Sequence, residues 1–154
     1  MEPILEIIEA LKTSNNSSVS FDVFGKKEDD ENIQRVLRNK NLTLPSDYLT
    51  LIKTFGECAV SGPDTEIIFW AIGGIMDQQL DSASELNDVF AFASDNGGNF
   101  YFYDVHNRSG KGKYSIFDVY PGNQKWEYST YLAPDLCTLI GRIVNGESFI
   151  NPQR

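Results

Sequence analysis

His106 is the only histidine in the chain, so any Ser-His-Asp or Cys-His arrangement would have to use it. It stands beside Asn107 and Arg108 in a polar stretch with no nucleophile motif, and reads as a solvated loop residue. Two carboxylates could act as acid and base in a hydrolase if their pKa values were pushed apart. Nine acids occupy the interval 54–107 (Glu57, Asp64, Glu66, Asp77, Asp81, Glu85, Asp88, Asp95 and Asp104), and their spacing sets no pair apart. Asp77, Asp81 and Glu85 are the oxygen ligands that Ca²⁺ or Mg²⁺ prefers, but lack the spacing and turn glycine of an EF-hand loop. Cys58 and Cys137 are the only cysteines. They make no zinc spacing and no disulfide framework, and read as thiols of a reducing cytoplasm. Gly97-Gly98 is followed by no Walker lysine, so it is a hairpin turn and not a phosphate cradle. The residues thus predict no enzyme, no cofactor and no metal.

The elements that would position these groups follow from periodicity. Pro3 suits a first helical turn, and Ile4, Ile7, Ile8 and Leu11 continue one helical face. Val19, Phe21 and Val23 alternate as a short strand. The acids 28–31 favour the positive end of a second helix with Ile33, Val36 and Leu37 on its apolar side. Pro45 opens a third helix, in which Tyr48, Leu51, Ile52 and Phe55 share a face and Gly56 is the stop. Ser61 to Asp64 is a turn, and Ile67 to Ile72 reads as a strand buried on both faces. Residues 77–88 read as a loop. Val89–Ala93 and Asn99–Val105 are strands joined by an Asn-Gly hairpin, predicted to be a type I′ turn. Tyr114–Val119 is another strand, with Ile116 and Phe117 on opposite faces, and Trp126–Tyr128 a last short one. Pro134 opens a final helix carrying Leu136, Leu139, Ile140, Ile143 and Val144, with Gly146 as its stop. Helices, then a meander, then a helix predict an α+β fold: a curved antiparallel sheet with helices packed on one side.

The chain has 154 residues, enough for one domain spanning 1–154 with a substantial core. Its formal charge is −9, and the distribution is uneven. No Lys or Arg lies between Lys53 and Arg108, while the rest of the chain balances 13 acids against 13 bases. The central third therefore holds the whole excess. Such a stretch repels a phosphate backbone, which argues against nucleic acid as partner and suits a cationic one. The aromatics Trp70, Phe100, Tyr101, Phe102 and Tyr103 have no interleaved Lys or Arg with which to bind bases. No basic N-terminal stretch precedes an apolar run, and the longest apolar run, Ile67–Met76, is too short to cross a membrane. A cytoplasmic protein without a membrane partner is expected.

Leu44-Pro45-Ser46-Asp47-Tyr48, a helix ending at Phe55-Gly56, and then Val89-Phe90-Ala91-Phe92-Ala93-Ser94-Asp95 with Gly97-Gly98-Asn99 form an ordered set. The set resembles the SUKH superfamily, in particular its Smi/Knr cell-wall-assembly-regulator branch, over roughly Ile33 to Val144. One departure is Glu57-Cys58-Ala59 after Gly56, a loop in which many relatives carry a second glycine or an asparagine. The resemblance implies an α+β domain without shared catalytic apparatus. Bacterial members look like immunity proteins that bind a cognate toxin domain, often a nuclease or nucleic-acid deaminase. Fungal members resemble regulators of cell-wall synthesis. Leu44, Pro45, Tyr48, Gly56, Gly97 and Gly98 read as fold determinants.

The expected function is therefore stoichiometric neutralisation of a polymorphic or contact-dependent toxin through an acidic surface. Asp77, Asp81, Glu85 and Asp88 are the expected charged contacts. Trp70, Tyr101 and Tyr103 are the expected aromatic anchors where they are exposed. The alternatives are a regulatory adaptor with no toxin, a hydrolase using a carboxylate pair, and a small-ligand module with an apolar pocket lined by Trp70.

Overall fold

The structure is a computed structural model that describes residues 2–25, 27, 29–71 and 83–147. Four α-helices lie among these residues: α1 (Pro3–Lys12), α2 (Asp30–Lys40), α3 (Ser46–Phe55) and α4 (Leu136–Val144). Seven strands form one open sheet in chain order: β1 (Ser20–Val23), β2 (Cys58–Ser61), β3 (Glu66–Phe69), β4 (Phe90–Asp95), β5 (Phe100–Asp104), β6 (Ser115–Val119) and β7 (Thr130–Ala133). Every neighbouring pair is antiparallel. The predicted α+β class is the observed one.

The helix boundaries have local causes. Asp29 caps α2 by accepting from the Glu31 N–H at 3.0 Å, and Asp135 caps α4 by accepting from the Thr138 N–H at 2.7 Å. Gly56 ends α3 with φ 72°, a conformation open to glycine because it has no Cβ. The buried sides of α1, α3 and α4 pack on one another and on the sheet.

One position shows how the sheet meets the helices. Phe90 lies opposite Tyr103 and Ala93 opposite Tyr101, with a bulge between Ala91 and Ala93. Phe92 is the extra residue and, two positions on from Phe90, faces the helix side as Phe90 does. Its ring stacks on Tyr103 at 4.2 Å and meets Tyr48 of α3 edge-on at 5.5 Å, and the bulge brings Ala93 to that same side opposite Tyr101. The other side of the sheet carries a second aromatic row. Trp70 meets Phe100 at 5.0 Å, Phe102 stacks on Phe117 at 5.7 Å, and Trp126 closes over both. The Phe100–Tyr103 run is thus divided between two cores.

Three local expectations are corrected. The segment after Gly56, expected as a loop, is β2, paired on both sides, with Cys58, Ala59 and Val60 fully buried. The Ile67–Ile72 run is strand only to Phe69, with burial alternating along it, and Ile72 lies outside the described residues. Trp126–Tyr128 is a single 3-10 turn, and the last strand follows it at Thr130–Ala133. Trp126 lies over the Phe102 and Phe117 rings, so its segment covers the sheet instead of extending it.

Candidate functional site

Six of the nine central acids fall into distinct roles. Asp95 is 7% exposed and organises the β4–β5 hairpin. Its carboxylate accepts from the Gly97 N–H at 2.9 Å, the Asn99 N–H at 3.0 Å and the Tyr101 hydroxyl at 2.9 Å. The turn is not type I′: Gly98 alone takes positive φ, at 84°. A Gly98 N–H to Asp95 carbonyl bond of 3.1 Å closes a turn, and Gly98 supplies the left-handed residue after it. Asp104 is 1% exposed and does similar work in the next loop. It accepts from the N–H groups of Arg108 and Ser109, both at 2.9 Å, and from the Ser109 hydroxyl at 2.7 Å.

Asp88 is half-buried in an ion pair with Arg108, so its charge is neutralised locally. Glu66 accepts from the Ser61 hydroxyl at 3.0 Å. Asp64 and Glu85 are exposed, and Asp77 and Asp81 lie outside the described residues. The register separates the described acids further. Asp95 and Glu66 sit at one end of the sheet, whereas Asp88 and Asp104 sit at the other, beyond Phe90 and Tyr103. These carboxylates do not converge on one surface.

The aromatic anchors do not meet the condition of exposure. Trp70 is 3% exposed, and Tyr101 and Tyr103 are 0%. Trp70 packs on Phe100 and donates its indole N–H to the Ser94 hydroxyl at 3.2 Å. Tyr101 and Tyr103 point to the helix side because Phe100 and Phe102 alternate with them to the other. All three hold the fold together and offer nothing to a partner.

The large apolar side chains that are exposed among the described residues lie elsewhere: Val23, Phe24, Tyr120, Tyr128 and Tyr131. Three of these tyrosines gather at the β6–β7 end of the sheet. Tyr128 lines a groove of about 430 Å³ together with Glu85, Gly122 and Lys125. The Tyr120 ring lies directly against Gly122, at the same groove. Tyr131 meets Phe117 at 5.5 Å, and Phe117 meets Trp126 at 5.4 Å. The Trp126 N–H donates to the Glu85 carboxylate at 3.3 Å, so Glu85 is tied into this surface. Tyr120 and Tyr128, about half exposed at 52% and 51%, are the residues that the sequence reading missed. Their position beside the Pro121-Gly122 turn was a signal, since turns present side chains to solvent.

Chemistry requiring strongly activated groups finds little support. His106 is exposed in a turn. Burial pushes the Cys58 thiol up to about 12, with Glu57 adding to it, and burial pushes Cys137 up to about 11, with Asp47 and Asp135 adding to it. Both thiols therefore stay protonated near neutrality and are poor nucleophiles. Among the described residues, no group of three His, Cys, Asp or Glu side chains could hold a metal ion. No helix among them is long and apolar enough to cross a membrane.

No curated protein matches the chain significantly. The sequence model of the SMI1 / KNR4 family (SUKH-1) matches residues 27–142, from the approach to α2 into the last helix. That span covers three of the four described helices in whole or part and six of the seven strands, and the chain belongs to the SMI1 / KNR4 (SUKH-1) family.

Proposed function

We propose that this chain is an immunity protein that neutralises a cognate toxin by stoichiometric binding, with no catalytic step of its own. Family membership supports a protein partner. The observation that carries the reading is the exposure of Tyr120 and Tyr128 at the groove that Glu85, Gly122 and Lys125 line. Tyrosine is enriched at the centre of protein interfaces, where its ring gives large contact area and its hydroxyl a polar end. This surface replaces Trp70, Tyr101 and Tyr103 as the source of aromatic anchors.

Charge has a separate part. A chain of net charge −9 attracts a basic partner over distance, which a nuclease or deaminase cleft would be because it must hold phosphates. Asp77, Asp81 and Glu85 contribute to that steering without having to form one patch. Asp88 contributes less, since Arg108 neutralises it.

The test is binding and inhibition with the toxin domain encoded beside this gene. Tyr120→Ser combined with Tyr128→Ser should weaken the complex by about 2 kcal/mol, roughly 30-fold, with the dissociation rate rising. Replacing Asp77, Asp81 and Glu85 by their amides should slow association and flatten its salt dependence. A stable complex that leaves the toxin active, or no complex with any neighbouring toxin domain, would leave the adaptor reading as the better one.

A further inference from the structure

The two edges of the seven-stranded sheet are finished differently. At β7 the last helix α4 packs on the strand, the Arg142 guanidinium donates to the Leu132 carbonyl, and Leu132 and Ala133 are buried. At the other edge β1 has β2 as its one neighbouring strand. The register of that pair decides which groups of β1 are used. Ser20 lies opposite Ser61, Phe21 opposite Val60, Asp22 opposite Ala59 and Val23 opposite Cys58. The Phe24 N–H donates to the Glu57 carbonyl at 2.9 Å, so Phe24, Asp22 and Ser20 direct their backbone groups to β2. Phe21 and Val23 then direct theirs away from the sheet. Among the described residues nothing bonds the N–H or C=O of either at that edge.

Such a row of donors and acceptors is a template for another strand, and proteins commonly blunt it with lysine, proline or a bulge. β1 has none of the three: its sequence is Ser-Phe-Asp-Val, and its register with β2 runs without a shift. It is also apolar at the surface. Val23 and Phe24 are 50% and 57% exposed, and they are the two large exposed apolar side chains without a hydroxyl among the described residues. They stand on opposite faces of the strand. Val23 shares a face with Phe21, whose ring meets Phe55 of α3 edge-on at 4.9 Å. The helix layer therefore covers Phe21 in part and stops short of Val23.

Charge limits what can pair there. Asp22, Glu57 and Glu66 share the face turned away from the helices. No Lys or Arg lies in 20–25 or 57–69, and Lys26-Lys27 beyond the strand is outnumbered by the acids 28–31. A second copy, paired antiparallel so that both Phe21 and Val23 are used, would set Asp22 against Asp22. Like charges directly opposite are destabilising, and each copy carries −9. A strand with a cation at that position gains attraction instead.

We propose that β1 receives an extended segment of a partner protein as an additional strand, antiparallel like every other pair in the sheet, with a lysine or arginine between two apolar residues. The apolar pair lies beside Phe21 and Val23 and exchanges backbone bonds with them. The basic residue between them faces Asp22, and its methylene stem runs towards the Phe24 ring, a diagonal neighbour on that face. This edge lies at the opposite end of the strand order from the Tyr120 and Tyr128 groove, so the proposal does not depend on the immunity reading.

The test uses the full chain and synthetic peptides, with no toxin. Amide signals are followed by NMR during titration with acetyl-Ser-Thr-Val-Lys-Val-Thr-Ser-amide. Saturable shifts are expected, largest at Phe21 and Val23, and these two amides should exchange with solvent more slowly in the complex. N-methyl groups on both valines remove their N–H donors and should abolish binding, with the protein left unaltered. Replacing the lysine by glutamate, or Asp22→Asn in the protein, should weaken binding about two- to fivefold. Asp22 is exposed, so the variant keeps its fold. No saturable shift at Phe21 and Val23 with millimolar peptide, equal binding of the N-methylated peptide, or equal binding of the glutamate peptide would overturn the proposal. So would a concentration-dependent dimer with Phe21 and Val23 at its contact, since the occupant would then be a second copy.

Discussion

Asp95→Ala should cost the domain about 3–4 kcal/mol, more than any other substitution among the central acids. The carboxylate is almost fully buried and accepts from two backbone N–H groups of the hairpin, from the Asn99 amide and from the Tyr101 hydroxyl. Hydrogen bonds to a charged group are each worth about 1.5–3 kcal/mol, and alanine leaves the donors at Asn99 and Tyr101 inside the protein without their acceptor. The exposed acids provide the contrast. Asp64→Ala and Glu85→Ala should shift stability by no more than about 0.5 kcal/mol, because water replaces what they lose. Urea unfolding followed by circular dichroism distinguishes the two groups. If Asp95→Ala unfolded at the wild-type urea concentration, the hairpin would not depend on this carboxylate. The result matters for function too: a partner-binding defect in Asp95→Ala or Asp104→Ala would report a damaged fold, not a lost contact.

Gly62→Ala should be of comparable size, about 3 kcal/mol or more, for a steric reason. A Cβ at Gly62 would stand 1.9 Å from the Ile143 carbonyl oxygen and 2.7 Å from its carbon. Both atoms belong to the backbone of α4, so no rotamer change relieves the contact. Either the 61–65 turn or the end of the helix must move. Ile143 is fully buried, and the Thr65 hydroxyl beside it reaches the Glu147 carbonyl at 3.4 Å, so movement disturbs both packing and docking. Gly141→Ala in the same helix should act oppositely. Nothing lies within 4 Å of a Cβ there, and alanine in a helix is favoured over glycine by about 0.5–1 kcal/mol. Thermal melts of the two variants should therefore move in opposite directions. A stable Gly62→Ala protein would mean that α4 does not sit as closely on the β2–β3 turn as the structure places it.

The two variants also mark what could be read without coordinates. Gly141 stands inside a run of helical periodicity, and its helix is plain from Leu136, Leu139, Ile140 and Ile143. Gly62 reads only as part of a turn; that a helix backbone from a distant part of the chain would press on it is a tertiary fact. Asp95 is similar. The Asn-Gly pair announces a hairpin, but not that Gly98 would take the left-handed position or that Asp95 would turn inward to hold it. Trp126 looks like a strand residue, because bulky aromatics favour strands. Its ring is more useful covering Phe102 and Phe117, and packing overrode propensity.

Local patterning by itself determined the described helices, the place of the β4–β5 turn, the strands β1, β3, β4, β5 and β6, and the family, because each rests on neighbours in sequence. The net charge and its absence of bases between Lys53 and Arg108 were also fixed there. Only the tertiary structure decided which charges and rings reach solvent. A carboxylate goes inward where backbone N–H groups wait for it, as at Asp95 and Asp104, and stays outside where none do, as at Asp64. Tyrosines 101 and 103 are inside because the pleat turns them to the helices, whereas Tyr120 and Tyr128 are outside because the chain leaves the sheet at them. Composition counts such groups, but burial depends on contacts between residues far apart in the chain.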